Sequence, residues 1–144
     1  MARTHIPAEL RRLVNSRAHE CCEYCLLHQD DTQFTHQVDH LVAIKHDGQT
    51  VSENLALACL KCNRNKGSDL TAIDPVDGVI VPLFNPRAQV WTEHFAVAGV
   101  RVVGLMPPGR ATVRLLRMND RRQLTQLRRL MMAGRYPPAH DRSG

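Results

Sequence analysis

Aromatic side chains are scarce in this chain: one Trp, two Tyr and three Phe among 144 residues. With 43% hydrophobic residues there is material for the core of one ordinary domain, but small side chains must fill it, and a metal staple would help such a chain settle. Long apolar runs are missing too. No stretch approaches the roughly 18 residues needed to cross a bilayer, and the start MARTHIPAELRR has no apolar segment of the secretory kind. A cytoplasmic protein with no membrane partner is expected. Complete disulfide pairing is excluded within the chain, because five cysteines are an odd number. Acidic residues nearly vanish toward the C-terminus: residues 101–144 hold ten Arg against two Asp, whereas residues 1–100 hold nine Lys/Arg against twelve Asp/Glu. A charge of +8 beside one of −3 suits a polyanion lying across the C-terminal part, although Arg-rich helices also serve as plain solvated faces.

What is present is concentrated between Cys22 and Asp69. Two Cys-x-x-Cys pairs, Cys22/Cys25 and Cys59/Cys62, have the two-residue gap that lets a tight turn aim both sulfurs at one ion. Thiolate ligands in a reducing compartment are therefore expected rather than a secreted disulfide scaffold. Cys21 is the spare and reads as a small buried hydrophobe. Four thiolates around one Zn²⁺ close its coordination shell, so this site builds scaffold and leaves no position for substrate.

Around the bracket, residues 7–19 read as a helix with Pro7 in its first turn, an apolar stripe of Leu10, Leu13 and Val14, and Arg11, Arg12 and Arg17 turned outward. Residues 33–44 read as a strand or irregular hairpin arm, followed by a turn at Asp47-Gly48. Ser52 is expected to cap a short helical turn, and a second helix runs from about Leu60 to Ser68, stopped by Gly67. Residues 69–90 read as a loop with one strand at Val79–Val81, and residues 91–106 as two strands bending at Ala98-Gly99. Two helices then follow, the second capped by Asn119-Asp120 and ended by Gly134. His94, beside Trp91 and Phe95, reads as packing, and His36 has no role that follows from its position.

Inside the bracket stand Asp39, His40, Asn54 and Asn63. Asp39 offers a hard oxygen suited to Mg²⁺, Mn²⁺ or another divalent ion, and Asn63 a neutral amide oxygen. His40 has the side chain able to take a proton from water near neutrality. On a regular strand Asp39 and His40 face opposite sides, so both serve one site only at an edge or bend. Singly, each has a structural reading as turn acceptor, helix-end residue or satisfied histidine. Together they suffice for metal-assisted hydrolysis of a phosphodiester.

This stretch resembles the HNH endonuclease family in its zinc-bearing branch, through VDH at 38–40, ENLALAC at 53–59 and CNRNKG at 62–67. LFNPRAQVWTEHF at 83–95 and GLMPPGRATVRLLRMN at 104–119 further resemble the C-terminal extension of a bacterial subgroup of HNH proteins. The resemblance implies an α+β fold: an N-terminal helix (1–20), a ββα-metal core stapled by the four-cysteine zinc site (21–70), and a C-terminal extension of strands and Arg-rich helices (71–144). It implies Asp39 and Asn63 as ligands of a catalytic divalent ion, His40 as general base, Asn54 as the asparagine holding the loop, and Cys22, Cys25, Cys59 and Cys62 as zinc ligands. The third motif position is Asn63 where His is usual, a change that still leaves an oxygen ligand. The expected activity is endonucleolytic cleavage of DNA, duplex ahead of RNA, leaving 5′-phosphate and 3′-hydroxyl ends. A monomer and a homodimer are equally compatible. Lys45, His46, Arg64 and Lys66, with Arg110, Arg114, Arg117 and Arg121 at roughly helical spacing, are candidate nucleic-acid contacts. The alternative is a zinc-stapled nucleic-acid-binding module without catalysis, which would have no use for Asp39, His40 and Asn63 in one cluster.

Overall fold

A computed structural model describes residues 5–139. Helix α1 (Ala8–Arg17) starts where Pro7 sets an extended residue before it and Glu9 enters its first turn. Its Val14 is fully buried and packs with Ile6, Ala18, Leu55 and Leu57. Arg17 departs from the outward placement expected of it: its guanidinium donates to the carbonyls of Ser52 and Leu55, both at 2.7 Å, and so ties α1 to the middle of the chain.

That middle is a β-hairpin and a helix. Strands β1 (Gln37–His40) and β2 (Leu55–Ala58) pair antiparallel, with Asp39 opposite Ala56 and His40 opposite Leu55. The strand expected over 33–44 is thus trimmed at both ends. Before it, the chain turns through Gln29–Asp31, and after it the Asn54 side chain replaces strand pairing at Val42. Ser52 is not a cap. It begins a 3₁₀ turn, Ser52–Asn54, and its hydroxyl bonds the Glu53 carboxylate. Helix α2 (Leu60–Lys66) follows β2 after one residue and stops at Gly67, whose φ of 53° lies in the left-handed region.

The rest is wrapped on this unit. A second hairpin, β3 (Thr71–Ile73) with β4 (Ile80–Pro82), occupies part of the stretch expected as loop. Helix α3 (Trp91–His94) precedes a third hairpin, β5 (Phe95–Ala98) with β6 (Arg101–Gly104), which turns at Gly99 as expected. Helices α4 (Pro107–Leu115) and α5 (Arg121–Met132) close the order. Asp120 caps α5 by accepting from Gln123 N at 2.9 Å. Asn119 has a different duty from the capping expected of it: its amide brackets Val102, accepting from its N–H and donating to its carbonyl, both at 2.8 Å. Lys61 on α2 reaches the Arg117 carbonyl and Asp120, and Asn65 donates to the Leu116 carbonyl at 2.9 Å, docking the α4–α5 corner on the core helix.

The few aromatics are pooled. Every one except Phe34 lies in a single core with Leu116, Met118 and Leu127, against the cysteines. Phe84 meets Phe95 edge-on at 4.9 Å, Trp91 stacks on Phe95 at 5.1 Å, and His94 packs tilted against Phe84 at 5.4 Å.

Arg110, a candidate phosphate contact by sequence, is committed elsewhere. Its guanidinium forks the buried Asp74 carboxylate at 2.9 and 2.6 Å, tying the β3–β4 hairpin to α4. Hydrogen bonds from that guanidinium hold the Asp74 carboxyl below its ordinary value. The pair therefore adds stability above the unfolded-state pKa of about 3.9 and loses it as pH falls through the lower folded value. Asp74→Asn should lower the melting temperature near pH 7, with the gap to the parent closing below about pH 4. Melts across that range check this, and a gap independent of pH would show the pair to be electrostatically inert.

Candidate active site and metal centre

The first Cys pair lies in a turn closed by Cys22 N to the Leu27 carbonyl and Leu26 N to the Cys22 carbonyl, each at 2.9 Å. The second opens α2, where the Cys59 sulfur is itself the cap, accepting from Cys62 N at 3.4 Å. Cys25 N approaches the Cys22 sulfur in the same way, at 3.5 Å. All four side chains are buried and their sulfurs lie within 4.8 Å of one another, Cys25 and Cys59 at 3.8 Å. A tetrahedral zinc with Zn–S bonds of about 2.3 Å requires sulfur–sulfur edges of about 3.8 Å. None of the cysteines is in a disulfide. Hydrogen bonding within the crowded cluster pushes the Cys25 and Cys62 thiols up and pulls Cys59 down, so thiolate ligation by all four calls for a cation among them. Donor set, burial and spacing fit a closed structural zinc site. Glu23, inside the first turn, pins it to β2 through Leu57 N at 2.8 Å and to the 83–95 segment through an ion pair with Arg87.

On the other face of the hairpin, β1 ends at Asp39 and His40. Asp39 is largely buried, and its Oδ2 lies 3.0 Å from Lys66 Nζ. Lys66, a candidate nucleic-acid contact by sequence, is buried in the last turn of α2, where it also donates to the His40 carbonyl at 3.3 Å. Burial pushes the Asp39 carboxyl up, and the Lys66 ammonium pulls it back. Despite the short approach, Asp39 Oδ2 has no hydrogen bond of good geometry. Asn63 stands three residues before Lys66, on the same helix face, half-buried and with no side-chain partner among the described residues. Asp39 Oδ2, ion-paired with Lys66 but without a hydrogen bond of good geometry, and the Asn63 amide, one turn of α2 before Lys66, are oxygen donors of the kind that suit a divalent ion keeping most of its waters.

His40 leaves β1 into a tightly folded loop. Its Nε2 lies 2.9 Å from Thr50 Oγ1. With Nε2–H donating to that hydroxyl, Nδ1 keeps the lone pair, because a neutral imidazole has one nitrogen of each kind. Asn54 holds the loop with three bonds: its Oδ1 accepts from Val42 N at 2.9 Å, and its Nδ2 donates to the carbonyls of Val42 at 3.0 Å and Gln49 at 2.8 Å. Gly48 lies so near that a Cβ there would come within 1.7 Å of the Val42 carbonyl oxygen, and only glycine permits the approach. The ββα order, its two Cys knuckles and an Asp-His pair at the strand end agree with one further finding. Residues 22–69 match the HNH endonuclease family model. No curated protein and no solved structure matches the chain.

Within the matched stretch the structure brings Asp39, His40 and Lys66 together, with Asn63 one turn from Lys66 and Asn54 bonded to the loop. Lys45 and His46 are exposed on the 3₁₀ turn Ile44–His46, and Arg64 is exposed on α2. Arg114, Arg117 and Arg121 are exposed at the α4–α5 corner, whereas Arg110 is held by Asp74. His36 is buried with its Nε2 2.8 Å from the Leu27 carbonyl, a structural duty in the zinc turn. Thr50 was not singled out by sequence. It lies ten residues beyond His40, and only the fold of the Gly48 turn returns it to the imidazole.

Proposed function

We propose that the protein is a metal-dependent endonuclease that hydrolyses phosphodiester bonds in DNA. The observation that carries this reading is His40 at the strand end, one residue from the buried Asp39 carboxylate, with its Nε2 2.9 Å from Thr50 Oγ1. Asp39 and Asn63 are the residues that would hold a divalent ion, Mg²⁺ or Mn²⁺, which when bound neutralises charge on the phosphate and the leaving oxygen. His40 Nδ1 takes a proton from water as the water oxygen bonds to phosphorus. The bond from phosphorus to O3′ breaks, and O3′ leaves with a proton from solvent, giving 5′-phosphate and 3′-hydroxyl ends. One base per domain cuts one strand per event. Pure protein with supercoiled plasmid and Mg²⁺ or Mn²⁺ should give nicked circles that chelator suppresses. Intact plasmid in every metal would leave the non-catalytic binding module as the reading.

Lys66 supplies a second measurement. Lys66→Met leaves the Asp39 charge buried without its cation, and breaking such a pair costs about 3–5 kcal/mol. The variant should melt well below the parent, and millimolar Mg²⁺ should recover part of the loss in the variant. No recovery would count against Asp39 as a metal ligand. Arg114, Arg117 and Arg121, with Arg64, Lys45 and His46, are the proposed backbone-phosphate contacts. Affinity should then fall steeply from low to moderate salt, and a flat profile would remove them from that role.

A further inference from the structure

Beside the catalytic loop lies a cavity of about 310 Å³ that the hydrolysis described above does not use. One wall is Leu41 and Val42, the two residues after His40. Leu70 and Leu83 also line it, as does Lys66, whose ammonium sits on Asp39. Two residues of chain span at most about 7 Å, so whatever occupies the cavity lies within a nucleotide's reach of the phosphate that His40 would serve.

The rim carries two amides in a fixed sense. Asn85 Oδ1 accepts from Arg87 N, and Gln89 Oε1 accepts from Asn85 N, both at 2.8 Å, while Gln89 N closes back on the Asn85 carbonyl at 2.9 Å. Both amide oxygens are therefore spent within the 85–89 turn. Both residues line the cavity, and their NH₂ groups have no hydrogen-bond partner among the described residues. The occupant must satisfy N–H donors and tolerate aliphatic walls. A phosphate is a poor candidate, because the walls are apolar and Asp69 stands on the rim. A nucleobase fits: flat, largely apolar faces with carbonyl and ring-nitrogen acceptors on its edge.

We infer that this cavity is a subsite for a nucleobase flanking the scissile phosphate, with Asn85 and Gln89 donating to its acceptor edge. It rests on the nuclease reading for its place in the reaction, but base capture is measurable without cleavage. The full-length His40→Ala chain, labelled with ¹⁵N and in Mg²⁺, would be titrated with a mixed-sequence single-stranded DNA octamer and with an abasic octamer of the same length. The side-chain NH₂ resonances of Asn85 and Gln89 should move with the first and stay with the second, while backbone signals at the α4–α5 corner move with both. Gln89→Glu keeps the acceptor that Asn85 N needs and removes the donors. It should weaken the base-bearing octamer roughly two- to tenfold more than the abasic one, the worth of one ordinary hydrogen bond, since the added negative charge acts on both alike. NH₂ signals that stay still, or that move equally with both oligomers, overturn the subsite, as does failure of the octamer to bind. Plasmid left uncut by the His40-bearing protein overturns the nuclease reading instead, and the NMR result stands apart from it.

Discussion

His40→Ala is expected to lower metal-dependent DNA cleavage by about 10²–10⁴-fold, the usual worth of a positioned general base, while the protein stays folded. The imidazole is half-buried and its one side-chain hydrogen bond goes to Thr50, so its removal costs little packing. The loss should therefore appear in the rate of nicking and not in the melting temperature or in DNA affinity. Thr50→Val is the finer companion. It keeps the shape of the side chain but removes the hydroxyl that selects the tautomer, and a hydrogen bond worth about 0.5–1.5 kcal/mol predicts a loss of roughly two- to tenfold. If the two variants lose rate in the reverse order, or if His40→Ala nicks plasmid at the parent's rate, the base lies elsewhere.

Removing zinc is expected to unfold the protein. Structural zinc binding is worth about 10–16 kcal/mol near pH 7, comparable with the whole stability of an ordinary domain, about 5–15 kcal/mol. The four sulfurs are also where otherwise separate parts meet, since the aromatic core rests against them and Tyr136 donates to the Cys25 carbonyl at 2.8 Å. A strong chelator should abolish near-ultraviolet dichroism and amide dispersion together. Cys59→Ser isolates the metal from the helix cap, because serine is itself a favourable N-cap. That variant should lose zinc and fold alike despite keeping a capping oxygen. Retention of one zinc per chain with native dispersion would remove Cys59 from the ligand set.

Much of this core was legible because its residues announce themselves by spacing. Two Cys pairs, an Asp-His pair, and a helix stopped by Gly67 are local patterns, and the structure keeps each where its spacing put it. What could not be read depends on partners distant in the chain. Arg17 and Arg110 look alike in sequence to Arg114 and Arg117, yet the first two are consumed by the carbonyls of Ser52 and Leu55 and by Asp74. Lys66 reads as a candidate nucleic-acid contact because the lysine itself does not reveal that β1 delivers a buried carboxylate to it. The strand β3 was missed for a similar reason: Thr71–Ile73 is too short to show alternation, and only pairing with Ile80–Pro82 defines it.

Helix α2 is seven residues long, and hardly any of them is idle. Cys62 joins the four-sulfur cluster, Lys61 and Asn65 grip the α4–α5 corner, Lys66 faces Asp39, and Asn63 shares that side. Leu60, Asn63 and Arg64 make no side-chain hydrogen bond among the described residues. Two helical turns carrying three separate obligations leave almost no neutral drift available to the lineage.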